Sequence, residues 1–239
     1  MRIETVGETG STNADLLVRI EAGERLHEGS WLVADRQHAG RGRQGRPWLD
    51  APGNFMGSTL VHLGPEDPPP HSLSLLAGLA LYEMVLPRLP EPLALQLKWP
   101  NDLLLGGAKM AGILLERTGG SAVIGFGVNL AAAPNLPDRT AGHLAATGPA
   151  PDRNGFARDL ATIFDQELIR WREFGVEPIH ARWLAAAHPL GSALVVHGGG
   201  GEWLTGSFAG LDDDGALRLR LAGGEIRTVH AGDVTVEGG

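Results

Sequence analysis

The sequence predicts an α+β protein, a mixed β-sheet flanked by helices and followed by a small antiparallel β-barrel. Three observations predict it. Segments of helical period are interleaved with strands at hairpin spacing rather than in a strict βαβ array. After Pro189 the pattern changes to short strands of period 2, joined by turns rich in Gly and Asp. Finally, 239 residues with 43% apolar content are enough for one large cored domain and a small module. The boundary falls at the change of pattern, giving domains 1–188 and 189–239.

Taken in order, Ile3 to Val6 reads as a short strand. Ser11-Thr12-Asn13 supplies capping residues for a helix to about residue 28, with Leu16, Leu17 and Ile20 on its apolar face. Trp31 to Ala34 and Phe55 to His62 read as buried strands, and Leu75 to Leu86 as a helix ending near Pro87. Leu93 to Leu97 runs into Lys98-Trp99-Pro100-Asn101-Asp102, and a Gly-Gly-Ala turn joins Leu103–Leu105 to Met110–Leu115 as a hairpin. Ala122 to Leu130 is a further strand. Asp152 caps a helix carrying Phe156, Leu160, Phe164, Leu168 and Trp171, and a second helix spans about 176–187. The tail offers strands at 193–196, 203–211, 217–221 and 226–229.

Composition excludes several classes. There is no cysteine, which removes disulfides, thiol nucleophiles and cysteine zinc sites. No run approaches the ~18 apolar residues of a membrane span, and the N-terminus has no apolar signal core, so a cytoplasmic location is expected. A net charge of −8 argues against a general nucleic-acid or anionic-membrane binder. Against that acidic background stands Gly40-Arg41-Gly42-Arg43-Gln44-Gly45-Arg46-Pro47-Trp48. Gly40, Gly42 and Gly45 permit positive φ and close backbone approach, so successive N–H groups can converge on an anion. The arginines add charge-assisted donors. A small phosphate-bearing molecule suits this loop better than a polyanion, because no second basic cluster extends the track. The competing reading is a solvated surface loop, which gives Trp48 little purpose.

The chain has 18 arginines and two lysines, Lys98 and Lys109, eleven residues apart. A site that needs a compact, rotatable ammonium rejects the planar guanidinium fork, so both lysines are functional candidates; the competing reading is compositional drift from Lys to Arg in a chain rich in Ala, Gly and Pro. Asn101 and Asp102 are ordinary turn residues, yet beside a lysine and a triphosphate either one suits Mg²⁺. Gly112 lets another group approach the strand after Lys109, and Asn129 ends an apolar strand either as a reader of a nucleotide or as a cap.

With these pieces in this order, the chain resembles the biotin protein ligases. The strings that carry the resemblance are Ser11-Thr12-Asn13, Gln37 through Gly42 to Trp48, KWPNDLLL at 98–105, KMAGILLE at 109–116 and GFGVNL at 125–130. GSFAGLDDDGAL at 206–217 is similar to that family's C-terminal module. The resemblance implies a synthetase-like mixed sheet with an SH3-like barrel. It also implies joining of biotin to ATP as biotinyl-5′-AMP, then transfer to one lysine of a biotin carboxyl carrier domain. It places Ser11, Thr12, Asn13, Gln37, Arg41, Gly42, Arg43, Lys109 and Gly112 at biotin. Arg41, Arg43, Arg46, Trp48, Lys98, Asn101, Lys109 and Asn129 fall at ATP or the adenylate, with Lys109, Arg41 and Arg43 as the catalytic groups and Asp102 at Mg²⁺.

The pattern begins at residue 3, so the helix-turn-helix found in many members, and with it DNA binding, is expected to be absent; exposed edge strands leave a homodimer open. Two other readings compete: a lipoate-type ligase on a related fold, against which the polar Ser-Thr-Asn and Gln37 set argues, and a non-enzymatic binder.

Overall fold

A computed structural model describes residues 2–90, 94–136, 140–198 and 201–236. A seven-stranded sheet forms its centre. The strands are β1 (Arg2–Thr9), β2 (Ser30–Gln37), β3 (Phe55–His62), β4 (Leu95–Lys98), β5 (Asp102–Leu105), β6 (Ala108–Thr118) and β7 (Ser121–Val128), in the order β1-β2-β3-β7-β6-β5-β4. The β1–β2 pair is parallel and every other pair antiparallel, so the sheet is mixed as expected.

The two faces are covered differently. Helix α1 (Thr12–Glu21) lies on one face, where Leu16 packs with Leu32, Leu60 and Val123 in a small cluster. Helices α2 (Leu73–Val85), α3 (Arg153–Phe174) and α4 (Glu177–Ala186) hold the main core on the other. There Trp31 stacks on Phe126 with ring centroids 5.3 Å apart, and Phe164 meets both rings edge-on. Helix α2 is buried along nearly its whole length because the sheet, α3 and α4 enclose it.

Helix α1 stops seven residues before the expected end near 28. Gly23 takes φ +80°, its N–H reaches Ile20 O at 3.0 Å, and Glu24 N–H reaches Arg19 O at 3.0 Å. Those two bonds are a Schellman stop, which only a residue tolerant of the left-handed region makes cheaply. Leu93 of the expected strand at 93–97 lies outside the described residues, and the strand is seen from Leu95.

A second, five-stranded antiparallel sheet follows, built from β8 (Ala193–Gly198), β9 (Trp203–Leu211), β10 (Leu217–Arg220), β11 (Ile226–Val229) and β12 (Gly232–Val236), in the order β11-β10-β9-β8-β12. Among the described residues no ladder joins β11 to β12, so the expected closed barrel is seen as an open sheet. The reading from sequence ended its strands at Val229 and missed β12. This sheet is fastened to the first by the Lys98–Asp102 segment. Trp99 Nε1 donates to Gly215 O at 3.0 Å, and Lys98 Nζ donates to Val234 O at 3.0 Å.

His188 sits at the junction, 4% exposed, with its ring 4.5 Å from that of Phe208. Burial, with a smaller push from Lys98, brings its imidazole down from 6.5 to about 4. The folded state therefore holds fewer protons than the unfolded chain between those values, and stability falls as pH falls through that window. Urea unfolding at pH 7 and 4.5 should show His188→Gln losing about 2 kcal/mol less stability than wild type over that step. Equal losses would mean that His188 titrates normally.

Candidate functional site

Period 2 along the strands builds the floor of the site. Met56, Ser58 and Leu60 of β3, Val123, Gly125 and Gly127 of β7, and Gly112, Leu114 and Glu116 of β6 share the face that α1 covers. Leu60 and Val123 lie under α1. Beyond them the glycines take over, with Gly112 paired to Gly127 and Gly125 paired to both Leu114 and Ser58. This stretch without side chains is the base of a cavity of about 480 Å³, within the ordinary range for a small-molecule site.

Each glycine leaves room for one functional side chain. A Cβ built on Gly125 would lie 2.9 Å from Asn13 Cγ, and one on Gly127 would lie 2.6 Å from Trp48 Cζ2. On Gly112 it would meet Lys109 Nζ at 3.1 Å and the Trp48 ring at 3.3 Å. Asn13 over Gly125 and Trp48 over Gly127 are thus seated about 7 Å apart along β7 at two residues' rise, with Lys109 beside Trp48 over the paired Gly112.

One end of the cavity is uncharged and polar. Ser11 caps α1, and Thr12, Asn13, Gln37 and Ser58 are all buried. Thr12 N–H donates to Gln37 Oε1 at 2.7 Å, Thr12 Oγ1 lies 2.7 Å from Ser58 Oγ, and Ser58 donates to Asn13 Oδ1 at 2.6 Å. A hydroxyl has one proton, so a relay from Thr12 to Ser58 to Asn13 satisfies each acceptor in turn. Asn13 Nδ2 donates to Glu116 Oε2 at 2.9 Å, which fixes its amide orientation. Ser58 and Glu116 were not foreseen. Ser58 looked like an ordinary strand residue, and only the register with Gly125 shows that it faces the cavity.

The other end is charged. Lys98 and Lys109, the chain's two lysines, meet on one carboxylate. Lys98 Nζ is 3.2 Å from Asp102 Oδ2, and Lys109 Nζ is 2.6 Å from Asp102 Oδ1. Burial pushes the Asp102 carboxyl up, but Lys109 and then Lys98 together outweigh it and hold the group below the usual carboxylate range. Each carboxylate oxygen therefore faces an ammonium. Both oxygens of Asp102, the residue expected at Mg²⁺, are thus engaged by the two lysines. Among the described residues no three acidic or histidine side chains gather to hold a metal.

The Arg/Gly loop differs in detail from its expected form. Gly45 has φ +72° and Gln44 +56°, whereas Gly42 is extended at −105°. Gly40 serves close approach instead, since a Cβ there would lie 2.9 Å from Trp48 O. The backbone N–H groups expected to cradle an anion are partly spent within the loop: Gly42 on Arg46 O at 2.7 Å, Arg46 on Arg43 O at 3.2 Å, Trp48 on Gly40 O at 2.8 Å. The guanidinium groups divide. Arg41 is exposed at the cavity. Arg43 donates to Gly232 O at 3.1 Å and Arg46 pairs with Asp233, both on β12. Burial pushes the Arg43 guanidinium below its usual value, while Asp233 and Asp102 pull the other way.

Asn101 and Asn129 line the same cavity, but their amides are engaged. Asn101 donates to Ile113 O. Asn129 Nδ2 donates to Gly142 O at 3.0 Å, and its Oδ1 accepts from Asn54 Nδ2 at 3.3 Å. These hydrogen bonds fit the capping reading of Asn129, and its place on the cavity wall leaves the nucleotide reading open. All fifteen side chains and backbone positions proposed from sequence therefore line one cavity, with β12 contributing Asp233, Val234 and Thr235 to its wall.

Residues 10–130 match the model of the Biotin/lipoate A/B protein ligase family, and residues 192–236 match the Biotin protein ligase C terminal domain. A biotin--[acetyl-CoA-carboxylase] ligase of Mycobacterium tuberculosis is 39% identical over 98% of this chain and 88% of its own length. One from Paracoccus denitrificans is 38% identical over 90% of this chain and 92% of its own. The structure of the Aquifex aeolicus biotin protein ligase in complex with biotin and ATP superposes with a TM-score of 0.85 at 25% identity, covering 99% of both chains.

Proposed function

The chain belongs to the biotin/lipoate protein ligase family, and from that premise we propose how its cavity divides the labour of biotin ligation. The enzyme activates biotin with ATP as biotinyl-5′-AMP and passes the biotinyl group to a lysine of a biotin carboxyl carrier protein. In the first step a carboxylate oxygen of biotin attacks the α-phosphorus, and the bond from that phosphorus to pyrophosphate breaks. In the second, the carrier's amine attacks the acyl carbon, the bond to AMP breaks and the amine loses a proton.

The observation that carries the assignment is the polarity of the cavity. A fixed, uncharged hydrogen-bonding end and a cationic end lie on one glycine floor. Ser11, Thr12, Asn13 and Gln37, backed by Ser58, suit the neutral ureido head of biotin, which both donates and accepts. Lys109 and Arg41 lie toward the carboxylate and the α-phosphate, where two anions must be brought together. Lys98 and Arg43 add positive potential for the nucleotide's phosphates, and the Trp48 ring offers a flat apolar wall to the nucleoside. No protein nucleophile is required, so positioning and electrostatics supply the rate. Mg²⁺ when bound would neutralise phosphate charge; Asp102, engaged by two lysines, would hold it only by exchanging one of them, so we assign the ion chiefly to the triphosphate.

Arg43 and Arg46 have a second part. By engaging Gly232 and Asp233 they hold the loop closed against β12, which keeps water from a mixed anhydride that hydrolyses readily.

The test is direct. With ATP, biotin and a purified carrier domain, intact-mass analysis should show one biotinyl group added at one carrier lysine. A folded enzyme that leaves the carrier unmodified would sink the proposal.

A further inference from the structure

We propose that Trp203, braced by His197, is a docking platform for the carrier domain during the second step; the inference rests on the transfer reaction above. Trp31, Trp99, Trp171 and Trp183 are at most 3% exposed, and Trp48 lies on the glycine floor. Trp203 is 70% exposed on β9, yet it lines the same cavity as the lysines. Its ring stacks on that of His197 from β8, with centroids 4.5 Å apart and planes 17° from parallel. That stack fixes the orientation of the indole and leaves its outer face to solvent. Leu49, directly after the Arg/Gly loop, is 47% exposed and also lines the cavity. The mouth thus has an apolar rim above a charged interior.

The geometry of transfer says what must cover that rim. A lysine Nζ lies about 6 Å from its own Cα at full extension. To reach an acyl carbon inside the cavity, the carrier's backbone must come to the mouth, and the fold behind that lysine must then overlie the residues there. A rigid, exposed indole loses little conformational entropy when covered, which is why tryptophan dominates the energetics of many protein contacts. Biotin and ATP, by contrast, are held by groups deeper in the cavity. Trp203 is a binding residue for the protein substrate and takes no part in adenylate formation.

Trp203→Ala separates the two steps. Biotin-dependent exchange of pyrophosphate into ATP needs no carrier, and its rate and its KM for biotin and ATP should stay within about twofold of wild type. The KM for a purified carrier domain should rise about tenfold with kcat little changed, a typical cost for losing one aromatic anchor. Trp203→Phe should recover most of the loss. An unchanged carrier KM would overturn the proposal, and so would a matching fall in pyrophosphate exchange, which would place the indole at the nucleotide. Failure of the wild-type enzyme to label the carrier would strike the transfer reaction itself.

Discussion

Lys109→Arg is expected to lose about 100-fold in adenylate formation while the protein keeps its fold. Lys109 arches over Gly112, its Nζ 2.6 Å from Asp102 and 5.9 Å from the centre of the Trp48 ring. A Cβ on Gly112 would lie 3.2 Å from Lys109 Cε, so the side chain already follows the floor closely. A guanidinium is longer and planar, and it can keep its pair with Asp102 only by displacing Trp48 or by pointing away from the cavity. Charge is conserved in this variant, so loss of activity reports geometry and not net potential. Pyrophosphate exchange measures the rate, and urea unfolding checks the fold. Equal exchange rates would mean that any cation serves here, and that the scarcity of lysine in this chain carries no functional meaning.

Gly125→Ala is expected to raise the KM for biotin about 100-fold and to change the KM for ATP much less. The added methyl would lie 2.9 Å from Asn13 Cγ and closer still to its amide oxygen, so Asn13 must leave its place. Its bonds to Ser58 and Glu116 break with it, and the relay from Thr12 loses its last acceptor. Buried polar groups without partners cost about 1–3 kcal/mol each, and two such groups account for the expected loss. Isothermal titration with biotin alone measures it. Biotin affinity unchanged in a variant of normal stability would move the ureido site elsewhere in the cavity.

Much of the architecture was legible because local signals agreed with the final fold. The strand-like run Phe55–His62, the Asp152 cap and the Gly106-Gly107 turn between β5 and β6 each marked an element that the structure contains. Helix α1 was read too long because its stop depends on the backbone conformation of Gly23. The residues of the site were legible as residue types, since short strings of Gly, Arg, Lys, Asn and Asp are unusual in strands. What those strings withheld was pairing. That Asp102 bridges both lysines depends on the register of β4, β5 and β6. That Ser58 and Glu116 orient Asn13 depends on strands 45 and 103 residues away. The engagement of Arg43 with Gly232 spans 189 residues, and nothing near the Gly-Asp-Val-Thr-Val run at 232–236 announces a partner. That run does alternate Val234 and Val236 with polar residues, so its strand was within reach of the sequence even though its role was not.

The central claim is that one cavity recognises a neutral polar head at one end and joins its carboxylate to AMP at the other. The most direct measurement omits the carrier. The protein is incubated with ATP and equal amounts of biotin and lipoate, quenched, and its bound small molecules are identified by mass spectrometry. The account predicts biotinyl-5′-AMP retained on the protein, with pyrophosphate released in equal amount and little lipoyl-AMP. Lipoyl-AMP in excess, or no acyl-adenylate from a folded protein, would contradict it.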